Sequence, residues 1–134
     1  METKIIDKLA FIYLKDAKVL MARSRGKDIF YIPGGKREGN ETDEQALMRE
    51  VSEELNVAIL PATMRHYGNF KAQAHGKPEG VIVKMTCYTA EFNGVLRPGS
   101  EINALAFYDY SQRGIVGPVC QLIFDDLKAK KLIN

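Results

Sequence analysis

A chain of 134 residues is long enough for one sizeable core, and its composition (46% hydrophobic, 27% charged) is that of an ordinary globular domain. A formal net charge of only +2 supplies no global field for a nucleic-acid polymer or an anionic membrane. No apolar run is long enough to span a bilayer and no signal-peptide core opens the chain, so the expectation is a single cytoplasmic domain over residues 1–134. Residues 4–14 and 18–22 read as two strands rich in aliphatic and aromatic residues, with Lys15-Asp16-Ala17 as the hairpin turn. A polar, basic loop follows at residues 24–28. Residues 29–32 predict a short strand ended by Pro33, and Pro33-Gly34-Gly35 a turn where backbone can approach a ligand closely.

A helix comes next. Thr42 with Gln45 three residues on makes a capping box, Asp43 and Glu44 suit the positive end of the dipole, and Ala46, Leu47, Val51 and Leu55 form the apolar stripe. Residues 57–60 read as a short strand and 65–74 and 81–92 as two longer ones joined by the loop HGKPEG. Asn93-Gly94 signals a turn, residues 96–100 a loop, and 102–110 a last strand. Pro118 opens a closing amphipathic helix with Val119, Leu122, Ile123 and Leu127 on its apolar face. Strands in several runs with two helices give an α+β class. Cys87 and Cys120 sit in apolar contexts without a metal-binding pattern and read as reduced core thiols, although spacing alone leaves a disulfide between them open.

The chemistry concentrates between Gly35 and Val57. Glu50, Glu53 and Glu54 lie at i, i+3 and i+4, which puts three carboxylates on one helical face. Like charges at this spacing destabilise a helix by ~0.2–0.5 kcal/mol per pair, and a bound hard cation is the simplest compensation. Oxygen-only donors suit Mg²⁺, or Mn²⁺ in its place. Arg49, four residues before Glu53, can hold a glutamate by charge-assisted hydrogen bonds, and Glu41 can receive the same arginine, so both read as structural support. Arg23, Arg25 and Lys36, with Lys27 and Arg37 nearby, flank the glycine turn and are candidate phosphate contacts. His66 and His75 have no partner pattern. Tyr31, Phe70, Tyr88 and Phe107 could stack on a base, but strand aromatics usually belong to a core.

The stretch resembles the signature box of the Nudix hydrolases, G-x5-E-x7-R-E-U-x-E-E-x-G-U with U a bulky aliphatic. Gly35, Glu41, Arg49, Glu50, Val51, Glu53, Glu54 and Val57 fall on it in register, over about a sixth of the chain. Asn56 stands where the pattern has its second glycine. That position ends the helix in a left-handed conformation, which Asn tolerates after Gly, so Asn56→Gly is expected to be close to neutral. The resemblance implies a mixed β-sheet sandwiched between helices, an α/β/α arrangement. It implies metal ligation by Glu50, Glu53, Glu54 and the Gly35 carbonyl. It also points to Glu101, which opens the last strand after a Pro-Gly turn, as a further metal ligand or the general base; a solvated loop carboxylate is the alternative, and Glu50 then takes the base role.

The expected function is a Mg²⁺-dependent hydrolase that cleaves a phosphoanhydride bond in a nucleoside diphosphate linked to another group. The small size resembles members that release pyrophosphate from nucleoside triphosphates. An ADP-ribose or dinucleoside polyphosphate substrate is the alternative within the same chemistry, and a nucleotide-binding sensor with vestigial catalysis the alternative outside it. The expected partner is a small nucleotide, not a nucleic-acid polymer or a membrane. The oligomeric state stays open, a homodimer included.

Overall fold

The structure is a computed structural model that describes residues 4–134. Strand β1 (Lys4–Ile12) ends at Tyr13, and the chain then changes sheets into β2 (Leu14–Lys15) and β3 (Lys18–Ser24). The single strand expected over residues 4–14 is therefore two. Asp16 (φ 53°) and Ala17 (φ 59°) form the β2–β3 turn with both central residues left-handed, the geometry that matches strand twist in a two-residue hairpin.

Residues 29–32 do not form a strand. Tyr31 makes only an isolated antiparallel bridge with Ala22, with both backbone bonds at 2.8 Å. The strand pairing lies one step later, in β4 (Gly34–Gly35), where a turn was expected; it pairs antiparallel with β1 through Leu9 and Ala10. Pro33 cannot donate to a ladder, so pairing resumes only after it. Helix α1 (Asp43–Leu55) carries the full Thr42–Gln45 capping box and buries Ala46, Leu47, Val51 and Leu55, as its periodicity predicts. Then come β5 (Ala58–Ile59), β6 (Arg65–Gln73), β7 (Val81–Thr89), β8 (Phe92–Asn93), β9 (Ile102–Tyr108) and α2 (Pro118–Ala129). The run expected over residues 81–92 is split, because Phe92 leaves the sheet of β7 to pair with Ile59.

The main sheet has the order β4-β1-β7-β6, with β1 and β7 parallel and the other pairs antiparallel; β2-β3-β9 form a second, antiparallel sheet. Alternation along β1 assigns its two faces. Leu9 and Phe11 pack with Leu47, Val51 and Leu55 of α1, whereas Ala10 and Ile12 pack with Val119, Ile123, Phe124 and Leu127 of α2. The mixed sheet is thus buried between helices on both sides. Leu122 is not on the buried face of α2; it is 41% exposed, and Cys120 and Phe124 take inward positions instead. Cys87 and Cys120 are free, buried thiols of one core cluster, and burial pushes them up to about 12 and about 11.

Candidate active site

The diglycine pair and helix α1 make one unit. A side chain at Gly34 would collide with the Leu9 carbonyl of the paired strand, so only glycine lets β4 lie against β1 here. A Cβ at Gly35 would stand 2.5 Å from Oε2 of Glu50, so the bare backbone leaves room for that carboxylate. The Gly34 amide donates to Oε1 of Glu54 at 2.9 Å. Two carboxylates one helical turn apart are thereby folded against the turn.

Arg49 holds this arrangement from outside. Its guanidinium donates to both oxygens of Glu41 (2.8 and 2.9 Å), to Oε1 of Glu50 (2.8 Å) and to the Lys36 carbonyl (3.0 Å), and it reaches Glu53 at 3.5 Å. Hydrogen bonds from Arg49 and from the Glu38 backbone hold the Glu41 carboxyl below the usual carboxylate range. The loop is fastened a second time by Arg37, which bonds Asp43 at 2.7 Å and pairs with Asp7 at 3.2 Å; the Tyr88 hydroxyl donates to the other Asp43 oxygen at 3.0 Å. Arg37 is therefore occupied within the fold.

Glu54 is the electrostatically unusual member. Burial pushes its carboxyl up to about 7, with the neighbouring Glu50 charge adding to the rise; the Gly34 amide, Lys8 and Tyr31 oppose it. Tyr31 lies beside it, bonded to the Ser24 hydroxyl, and burial with the Glu54 charge raises its phenol to about 12. Glu53 is half-exposed. Among the described residues, no three carboxylate, imidazole or thiol side chains gather closely enough to cage a metal ion by themselves. The donors present still fit a cation of the Mg²⁺ type, which keeps several waters and binds through one or two carboxylates plus substrate phosphates. The Glu54 charge, disfavoured by burial and by the neighbouring Glu50, is what such a cation relieves.

The other residues singled out by sequence lie around this centre without converging on it. Glu101 is exposed and adopts φ 62°, and its carbonyl accepts from the Arg25 amide at 2.7 Å. Its loop is bound to the end of α1: the amides of Arg97, Gly99 and Ser100 donate to the carbonyls of Leu55, Glu54 and Glu53 at 3.0, 2.8 and 2.8 Å. Asn56 is left-handed (φ 58°, ψ 32°), and its side-chain amide donates to the Arg97 and Pro98 carbonyls at 3.1 and 3.2 Å. Arg23 bonds Asn103 at 3.2 Å and stacks over Phe30 at 5.0 Å. Arg25 and Lys36 are exposed, and among the described residues their side chains make no ion pair or hydrogen bond.

Sequence reasoning did not single out Lys8. A cleft of about 390 Å³ opens on the α2 side of β1, with Ile6, Val83, Met85 and Val119 among its apolar lining and with Phe30 and Tyr31 as aromatic walls; no box residue lines it, and Tyr31 and Lys8 connect it to Glu54. Lys8 lines it, half-buried beside Glu54. The available signal was alternation: Lys8 occupies the face of β1 that carries Ile6, Ala10 and Ile12.

The NUDIX domain model matches residues 7–113. An ADP-ribose pyrophosphatase of Methanocaldococcus jannaschii is 28% identical over 98 residues, 71% of this chain and 56% of that protein. An RNA pyrophosphohydrolase of Halorhodospira halophila is 46% identical over 55 residues, 37% of this chain and 30% of that one. The matches thus span little more than half, or less, of these relatives' lengths. Among solved structures, the E. coli ORF135 protein superimposes with a TM-score of 0.73 at 25% identity over 96% of this chain and 94% of the other. The MutT protein from Methanosarcina mazei Go1 does so with a TM-score of 0.76 at 14% identity, covering 97% of each chain. With the signature box folded against its glycine turn and the domain match running over most of its length, the chain belongs to the NUDIX domain family.

Proposed function

We propose that the protein is a Mg²⁺-dependent hydrolase that cleaves a phosphoanhydride bond in a nucleoside diphosphate derivative, with nucleoside triphosphates as the first substrate class. The observation that carries this reading is the Glu50–Glu54 pair folded against Gly34 and Gly35, with Tyr31 and Lys8 between Glu54 and an apolar cleft. Glu50, Glu53, Glu54 and the Gly35 carbonyl would hold the cation, with Mn²⁺ able to replace Mg²⁺. Bound there, the cation would neutralise phosphate oxygens that otherwise repel an approaching nucleophile. The cleft lodges the nucleoside. A carboxylate takes a proton from water, the water oxygen bonds to one phosphorus, and the anhydride P–O bond breaks. A nucleoside triphosphate then yields the monophosphate and pyrophosphate. Glu101 is the proposed base or an added ligand, delivered by a loop bonded to the carbonyls of Glu53 and Glu54. Arg25 and Lys36, exposed near the turn, are proposed phosphate contacts, as is Arg23 if it exchanges Asn103 for substrate. The proposed partner is a small nucleotide in a cytoplasmic, single-domain protein; a homodimer is compatible with this chemistry.

The test is product analysis across a panel of nucleoside triphosphates, ADP-ribose, dinucleoside polyphosphates and 5′-triphosphorylated RNA, with and without Mg²⁺. Glu53→Gln and Glu54→Gln should keep the fold and sharply reduce turnover. Near-wild-type rates in both variants at limiting Mg²⁺ would place the chemistry elsewhere. ADP-ribose is the second reading, favoured because the ADP-ribose pyrophosphatase match covers 71% of this chain; release of ribose 5-phosphate and AMP would identify it. Nucleotide binding without turnover on any substrate would leave a sensor.

A further inference from the structure

Lys8 is an ammonium held where folding alone gives it no partner. It stands on β1, a strand paired on both sides, and lines the cleft on the same face as Ile6 and Ala10. Its charged neighbours are Lys36 and Lys27, which are like charges, and Glu54. Glu54 already accepts from the Gly34 amide, and its separation from Lys8 exceeds that of an ion pair: among the described residues Lys8 makes no salt bridge and no side-chain hydrogen bond. No fully buried side-chain nitrogen or oxygen is left unbonded among these residues, so the ammonium reaches the open cleft. Burial, and after it the charge of Lys36, lowers the Lys8 pKa, an energetic cost that an incoming anion would offset.

Lys27 and Lys77 also line the cleft, but both are exposed loop side chains that water already solvates. Lys8 differs because a rigid strand places it, half-dehydrated, between the apolar cleft and the glutamates. A charge-assisted hydrogen bond is strongest and most selective in such a setting.

We infer that Lys8 is a specificity residue that receives the phosphate directly attached to the group lodged in the cleft. This deepens the hydrolase reading and rests on it. An anion at Lys8 fixes which phosphate lies beside Glu54 and turns the outer phosphate toward the box. A neutral group in the cleft, such as a free nucleoside, gains nothing from Lys8. The residue therefore selects phosphorylated over unphosphorylated ligands, and acts on binding more than on the chemical step.

The experiment compares AMP with adenosine, and GMP with guanosine, by calorimetry in EDTA, so that it does not depend on metal loading or turnover. The wild-type protein should prefer the monophosphate. Lys8→Met should weaken monophosphate binding about 10-fold to 100-fold while leaving nucleoside binding unchanged. Lys8→Arg should retain most of the preference, and Lys71→Met, exposed on β6 outside the cleft lining, should lose less than about threefold. If Lys8→Met does not fold by circular dichroism, Lys8→Gln replaces it. On the best substrate of the panel, the variant should raise KM with little change in kcat. A preference left intact in the folded variant, or a wild-type protein with none, overturns the inference. Absence of turnover on every substrate, with the Lys8-dependent preference present, would instead overturn the hydrolase reading and leave Lys8 as an anion contact.

Discussion

Glu54 couples the stability of the metal-free protein to pH. Its carboxyl is raised from 4.5 to about 7 by burial and by the Glu50 charge. The folded state therefore binds more protons than the unfolded state between those values. Its contribution is fully present below about pH 4.5 and is lost as pH rises toward 7, by up to about 3 kcal/mol at 1.36 kcal/mol per pK unit. Thermal scans in EDTA should show this decline, Glu54→Gln should remove it, and saturating Mg²⁺ should flatten it. Asn56 is a second case in which local environment decides. The left-handed cap is as its sequence position predicts, but Asn56→Gly should not be neutral. It removes the two bonds to Arg97 and Pro98 and should lower stability by about 1 kcal/mol, read as a shift in urea midpoint. Ala17 carries the opposite expectation. Its φ of 59° is strained for a residue with a Cβ, so Ala17→Gly should gain about 0.5–1 kcal/mol.

At the level of elements, two glycines show how the helix and its flanking loops divide their tasks. Loop 97–100 supplies amides to the last carbonyls of α1, which would otherwise lack partners. A Cβ at Gly99 would collide with the Glu53 carbonyl, a backbone atom that cannot swing aside. Gly99→Ala should therefore cost about 2–3 kcal/mol and displace the Glu101 loop together with the helix end. The atoms nearest a Cβ at Gly35 belong to the carboxyl end of Glu50, a side chain that can turn aside. Gly35→Ala should leave the melting temperature nearly unchanged while lowering kcat by about 10²-fold, because it pushes one carboxylate out of place. Paired stability and rate measurements separate the two. The opposite helix is clasped by polar bonds at its far end: Arg113 and Tyr110 both donate to Asp125, at 2.6 and 2.8 Å, and Tyr67 donates to Asp126.

Across the whole molecule, local grammar was readable and long-range pairing was not. The capping box, the apolar stripe of α1, the long hairpin and the closing helix all follow from neighbours a few residues apart. The break at Tyr13, the pairing of Gly34 and Gly35 with β1, and the departure of Phe92 from the sheet of β7 depend on strands distant in sequence. Helical spacing alone puts the box glutamates on one face of α1. Lys8 was not legible, since a lysine in a strand reads as solvated until β7 and α2 are known to cover its face. The same holds for Arg23, whose partner Asn103 lies 80 residues away, and in part for Arg37, which bonds Asp43 nearby but also Asp7, 30 residues away.

The parallel pairing of β1 with β7, from Lys4 opposite Val81 to Ile12 opposite Thr89, also imposes an order of assembly. During synthesis the complete box leaves the ribosome well before the strand that completes the sheet beneath it. The other amino-terminal hairpin waits longer, for β9, where Val19 meets Tyr108. Loop closure over such separations is slow compared with forming a helix or a hairpin. Until those strands arrive, the acidic helix has only part of its final cover, the Leu9 and Phe11 side chains of β1. Its dense charge, a cost in the finished site, would serve during that interval to keep nascent chains apart.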